Sequence, residues 1–173
     1  MKVLAISGSL RAASVNSMLL RVLARVAPAG IEVQLYGGLG QLPLFNPDVV
    51  ELPPAVAELK DYVIRADALI IASPEYAHGV TGAIKNALDW MVGNESFIDK
   101  PVALFNLSPR ATHAHAALRE TVAVMSARLI DEACLALPLV GANLSEVAMS
   151  DDAAIRSALL AALQALRFAD ANR

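Results

Sequence analysis

The chain has 173 residues, 56% of them hydrophobic and 18% charged, with a formal net charge of -3. That length fits a single domain, expected over residues 1–173, with a core that needs neither disulfides nor metal. The mild negative charge excludes the basic footprint of a nucleic-acid binder, and no apolar run is long enough to cross a bilayer.

The first apolar run, Val3 to Ser7, reads as a strand. It leads into Gly8-Ser9-Leu10-Arg11-Ala12-Ala13-Ser14-Val15-Asn16, and then into a helical pattern over Ser17 to Val26. A strand, a small hydroxyl-rich turn and a helix make an anion pocket. Backbone N–H groups converge there and the positive end of the helix dipole faces the bound group. Ser9, Ser14 and Asn16 add side-chain hydrogen bonds, and Arg11 adds a guanidinium fork suited to phosphate oxygens. No carboxylate occurs before Glu32. A plain polar turn with Ser14 as helix cap is the competing reading. The glycines of the dinucleotide fingerprint and the Gly-Lys-Ser/Thr ending of the triphosphate loop are both missing.

A second strand is expected over Ile31 to Tyr36, followed by a long connection, Gly37 to Pro53, carrying Pro43, Pro47 and Pro53. Connections of this length are usually functional or involved in contacts. The alternatives are a loop packed on its own sheet edge, or a lid or subunit contact. Pro54 to Ala66 reads as a helix with Val56, Leu59, Val63 and Ala66 on one stripe. A third strand, Ala68 to Ala72, runs into Ser73-Pro74-Glu75-Tyr76-Ala77-His78-Gly79 and a helix over Thr81 to Val92. Pro74 stiffens the strand exit, and Tyr76 offers an aromatic face and a hydroxyl. Glu75 and His78 are either acid–base groups or a turn carboxylate and a rim histidine.

A fourth strand, Val102 to Asn106, is followed by Ser108-Pro109-Arg110-Ala111-Thr112-His113 and a helix over Ala114 to Arg128, with Leu118, Val122, Met125 and Leu129 inward. Arg110 reads either as a sensor of a bound ring or phosphate or as a solvent-facing turn residue. His113 and His115 lack further zinc ligands in the sequence, so no metal is expected. A fifth strand, Ala133 to Leu137, contains the one cysteine, Cys134, read as a packed small hydrophobe. The last helix aligns Ile155, Leu159, Leu163 and Leu166.

Strands alternating with helices imply a parallel sheet covered on both faces. Five of each match a three-layer, flavodoxin-like, doubly wound α/β fold with strand order 2-1-3-4-5. Ligands in such sheets bind beyond the carboxyl ends of the strands, where the winding reverses. The loops after Ser7, Ala72 and Asn106 should therefore converge.

The segments Gly8-Ser9-Leu10-Arg11 with Ser14 and Asn16, Pro74-Glu75-Tyr76, and Gly82-Ala83-Ile84-Lys85-Asn86-Ala87-Leu88-Asp89-Trp90 resemble the NADPH-dependent FMN reductase family. That family includes quinone, azo-dye and chromate reductases. The resemblance runs to about residue 140. It implies that Ser9, Arg11, Ser14, Val15 and Asn16 hold the FMN phosphate, and that Pro74, Glu75, Tyr76 and Ala77 line the isoalloxazine ring. Ser108 is a further hydrogen-bonding partner. It implies a homodimer or homotetramer with Trp90 and Met91 at the subunit interface; intrachain core is the other reading of Trp90. Two departures stand out. Ala77 and His78 occupy positions where many members carry Asn, and the third loop lacks the glycines common in the family.

The expected activity is transfer of a hydride from NADPH or NADH to flavin N5, and then to a quinone-like or other small acceptor. The flavin supplies the reaction centre, so no catalytic side chain is assigned. The rivals are a flavodoxin-type electron carrier and a flavin-free binding module on the same fold. With one cysteine, no signal peptide and no membrane span, a cytoplasmic protein is expected.

Overall fold

Consecutive apolar residues at Val3–Ile6 and at Ala68–Ala72 leave neither face of those strands fit for water, and both strands lie at the centre of the sheet. The computed structural model describes residues 1–171. β1 (Lys2–Ser7) pairs in parallel with β2 (Glu32–Leu35) on one side and β3 (Ala68–Ala72) on the other. A short hairpin follows, β4 (Glu75–Tyr76) and β5 (Gly79–Val80). β6 (Pro101–Asn106) then lies parallel to β3. The order is β2-β1-β3-β6-β7, where β7 is Arg128–Leu129; β8 (Leu135–Ala136) also pairs with β6. The fold is thus flavodoxin-like α/β around a parallel sheet.

Alternate residues of each strand feed opposite layers. Val3, Ala5, Ile70, Ala103 and Phe105 face α1 (Val15–Val26) and α6 (Ala153–Ala171), packing with Leu19, Leu23, Leu159, Leu163 and Leu166. Leu4, Ile6, Leu69, Ile71 and Leu104 face the other layer. There α2 (Pro54–Arg65), α3 (Gly82–Met91) and α4 (Thr112–Val124) contribute Val56, Leu59, Ile84, Leu88, Leu118 and Val122.

Two expectations at the far edge are corrected. Of the fifth strand expected over 133–137 only 135–136 is strand; a second edge fragment, 128–129, precedes it, and a 3-10 turn at Asp131–Ala133 separates the two. The Leu104 N–H donates to Cys134 Sγ at 3.3 Å, so the thiol stands where a strand carbonyl would. The helix expected to reach Arg128 stops at Val124. Ser126 takes a left-handed φ of 63°, and the Ser126 and Ala127 N–H groups turn back to the Ala123 and Val122 carbonyls. That closure is a Schellman motif with serine in the usual glycine place, and it moves Leu129 from the helical stripe into β7.

The long connection folds back onto α3. Trp90 Nε1 and Asn86 Nδ2 donate to the Pro43 carbonyl at 2.8 and 3.0 Å, and the Phe45 N–H donates to Asn86 Oδ1 at 2.8 Å. The Phe45 and Trp90 rings meet edge to face at 5.1 Å. Trp90 and Met91, 6% and 1% exposed, are therefore core residues of their own chain rather than a free interface surface. A short helix absent from the expectations, α5 (Glu146–Asp151), docks on α1, where Arg21 Nε donates to Glu146 Oε1 at 2.6 Å. Among the described residues no helix is long and apolar enough to cross a membrane.

Candidate functional site

The carboxyl ends of β1, β3 and β6 point the same way, because the three strands are parallel neighbours in register. Gly8 starts the first loop. Its N–H donates to the Ala72 carbonyl at 2.8 Å, and its own carbonyl accepts the Thr81 hydroxyl at 2.7 Å. A Cβ at Gly8 would lie 2.2 Å from Ser73 Oγ, so glycine is what lets the first loop press against the second. Ser14 occupies the helix-cap position of α1 with extended backbone, yet its hydroxyl makes no capping bond. The Met18 N–H is the first to reach back, to the Ser14 carbonyl, which leaves the Val15, Asn16 and Ser17 N–H groups open at the helix start.

Asn16 is 3% exposed, and its Oδ1 has no hydrogen-bond partner among the described residues. A buried acceptor without a donor is costly. Asn16 lines a cleft of about 300 Å³ together with Pro74, Glu75, Tyr76, Ser108 and Arg110. The three loops therefore meet, as the parallel topology requires.

The second loop is a hairpin whose two turn residues, Ala77 and His78, have φ of 48° and 58°. Left-handed backbone at both central positions is the type I′ geometry that Asn-Gly normally serves. The hairpin is tied to α4 through Glu75, whose Oε2 accepts the Ala114 N–H at 2.8 Å. That bond, assisted by His78 and His113, holds the Glu75 carboxyl below the usual carboxylate range. Its Oε1 lies 3.2 Å from His78 Nδ1, and the His78 and His113 rings meet edge to face at 4.6 Å. Both Glu75 oxygens are thus engaged in anchoring, which fits a turn carboxylate rather than a proton donor.

The third loop is stiff without glycine. Asn106 Oδ1 accepts the Ser108 N–H at 3.0 Å and Asn106 Nδ2 donates to the Ala111 carbonyl at 3.1 Å. The Ala111 N–H closes the turn onto the Ser108 carbonyl at 3.0 Å.

Of the residues singled out from sequence, Asn16, Pro74, Glu75, Tyr76 and Ser108 line this cleft. Ser14 and Val15 form the helix start beside it. Ser9 and Arg11 instead line a neighbouring hollow of about 500 Å³ next to Tyr36–Gln41. There Ser9 Oγ accepts the Arg11 N–H at 3.3 Å. Ala77 sits at the hairpin tip, outside the cleft lining. Two further residues contribute. Asn106 ends a strand pattern and gave no sign of bracing a loop. Thr81, which caps α3 by accepting the Ile84 N–H, is a helix-cap residue type directly before that helix.

A sequence model of the NADPH-dependent FMN reductase family matches residues 1–140. An NAD(P)H-dependent FMN reductase of Pseudomonas aeruginosa is 40% identical over 111 residues, 62% of this chain and 60% of that one. A quinone reductase of Pseudomonas putida is 32% identical over 139 residues, covering 76% of this chain and 72% of its own. The match to the first of these relatives, and the match to an Escherichia coli quinone reductase, span about three-fifths of the relative's length. Among solved structures, a flavoenzyme NAD(P)H:(acceptor) oxidoreductase from Paracoccus denitrificans superposes with a TM-score of 0.67 at 27% identity, covering 98% of this chain and 93% of that one. With the family model covering most of its length and the strand-end cleft in place, this chain belongs to the NADPH-dependent FMN reductase family.

Proposed function

We propose that the chain is an FMN-dependent NAD(P)H oxidoreductase that reduces a quinone-like or other small acceptor. The observation that carries this reading is the orphaned Oδ1 of Asn16, a buried residue at the start of α1 that lines the cleft where three loops meet. The residues present fit FMN. Open N–H groups at a helix start suit its phosphate. An unpaired buried acceptor suits one of its ribityl hydroxyls. A cleft between Pro74, Tyr76 and Ser108 suits a flat, acceptor-rich ring. When bound, FMN would supply the hydride-accepting and electron-transfer chemistry between a nicotinamide and the acceptor.

The chain's own groups then have distinct tasks. Val15 and Asn16 present backbone N–H groups to the phosphate, with Ser9 and Ser14 alongside. Arg11 is exposed and has no ion-pair partner among the described residues, so it is free to turn from the neighbouring hollow onto the same anion. Pro74, Glu75 and Tyr76 line the ring from the second loop, with Ala77 behind them at the turn. Glu75 holds that loop to α4. Ser108 borders the ring from the third loop.

The whole of residues 1–173 is taken as one domain, working in the cytoplasm as a homodimer or homotetramer. Support for assembly comes from the 42–52 stretch, where Leu44 and Val50 stand 85% and 94% exposed. FMN fluorescence during titration with the apo-protein tests the reading. Saturable quenching at one FMN per chain is expected, and no quenching at micromolar protein would refute it.

A further inference from the structure

Among the described residues that line the cleft, Arg110 and Glu75 carry the only formal charges. The two are not equivalent. Both Glu75 oxygens are engaged, Oε2 by the Ala114 N–H and Oε1 by His78 Nδ1 at 3.2 Å. Arg110 has no ion-pair partner among the described residues, and it is exposed at the cleft wall. Its backbone is held, because Asn106 braces the loop on both sides and the Arg110 N–H donates to Ser108 Oγ at 3.4 Å. The cleft thus keeps one uncompensated cation on a braced loop.

An isoalloxazine ring has one hydrocarbon edge and one edge of carbonyls and ring nitrogens. A ring bound in this cleft would meet its donors on the Ser108 and Arg110 side, which would suit the carbonyl edge. Hydride uptake breaks the nicotinamide C4–H bond and adds two electrons and one proton to the ring. One negative charge is therefore added, and it spreads over the N1–C2 carbonyl edge. A guanidinium beside that edge attracts the reduced ring more strongly than the oxidised one.

We infer that Arg110 sets the redox poise of the reaction centre, favouring the reduced over the oxidised ring through its uncompensated charge. This rests on the FMN reading above. Because Arg110 is exposed, solvent and salt screen its field, and a preference of about tenfold is expected.

The test is the two-electron midpoint potential of FMN bound to the wild-type chain, Arg110→Gln and Arg110→Lys, measured by dye equilibration. Loss of a tenfold preference in Arg110→Gln lowers the potential by about 30 mV, while Arg110→Lys stays near wild type. Affinity for oxidised FMN should change little in either variant. An unchanged potential in Arg110→Gln overturns the inference. If KM for NADPH then rises alone, with NADH unaffected, the arginine serves the cosubstrate's phosphate instead. A wild-type chain that takes up no FMN removes the functional reading, and this inference falls with it.

Discussion

Thr81 donates its hydroxyl to the Gly8 carbonyl at 2.7 Å while accepting the Ile84 N–H, so one side chain joins the first loop to the start of α3. Thr81 is buried. Thr81→Val keeps the shape and removes the hydroxyl, leaving the Gly8 carbonyl and the Ile84 N–H without those bonds. A loss of about 1–3 kcal/mol is expected in chemical denaturation, with weaker FMN binding. Gly8→Ala should cost a similar amount, about 1–3 kcal/mol, because its Cβ meets Ser73 and Ile84. Wild-type stability in both variants would show that the two loops are not coupled.

Asn16 should behave in the opposite way. Its Oδ1 contributes no protein hydrogen bond, so Asn16→Ala removes a ligand contact and relieves an unpaired acceptor. Global stability of the apo-protein should stay level or rise, while FMN affinity falls by about tenfold, the equivalent of one hydrogen bond near 1.4 kcal/mol. Thermal melts with and without FMN separate the two effects.

The hairpin tip carries strain that a better turn residue removes. Ala77 and His78 both hold left-handed backbone, which costs a side-chain-bearing residue about 1–2 kcal/mol. Ala77→Asn or His78→Gly should raise apo stability by about 1 kcal/mol. His78→Gly also removes the imidazole beside Glu75, so Ala77→Asn is the cleaner test. A destabilised Ala77→Asn variant would contradict the turn assignment.

Glu75 predicts a pH dependence. Its carboxyl titrates below the ordinary 4.5, mainly because it accepts the Ala114 N–H. A group depressed in the folded state stabilises fully above its unfolded value, and loses that contribution as pH falls through the folded value. Acid titration should therefore loosen the hairpin below about pH 4.5. Glu75→Gln should be less stable at neutral pH and show a shallower acid limb. Parallel stability–pH curves for the two proteins would remove Glu75 as the anchor.

Much of this architecture could be read from the chain. Consecutive apolar residues marked β1, β3 and β6, the strands buried on both faces, and alternation with helices implied the parallel sheet. From that followed the meeting of three loops, a consequence of topology rather than of any motif. The sheet edge was less legible. Nothing in Ala133-Cys134-Leu135 announces that a thiol replaces a strand carbonyl, and Ser126 lacks the glycine that marks most left-handed helix ends. α5 is six residues long with Met149 its one buried side chain, too little pattern to register. Within the site, Asn16 was visible as a residue type, but its missing partner is a property of packing. The braced third loop depends on Asn106 reaching both Ser108 and Ala111, which spacing alone does not reveal. The hydroxyl-rich first loop suggested one cluster, whereas the side chains divide, Asn16 to the cleft and Arg11 to the hollow beside it.

On this reading the cleft brings a nicotinamide and a flavin together. Anaerobic mixing of the FMN-loaded chain with NADPH, and separately with NADH, decides this. Bleaching of the bound flavin's visible absorbance, followed by its return when a quinone is added, is expected. A flavin that stays oxidised with both nicotinamides, yet is bleached by dithionite, would contradict it.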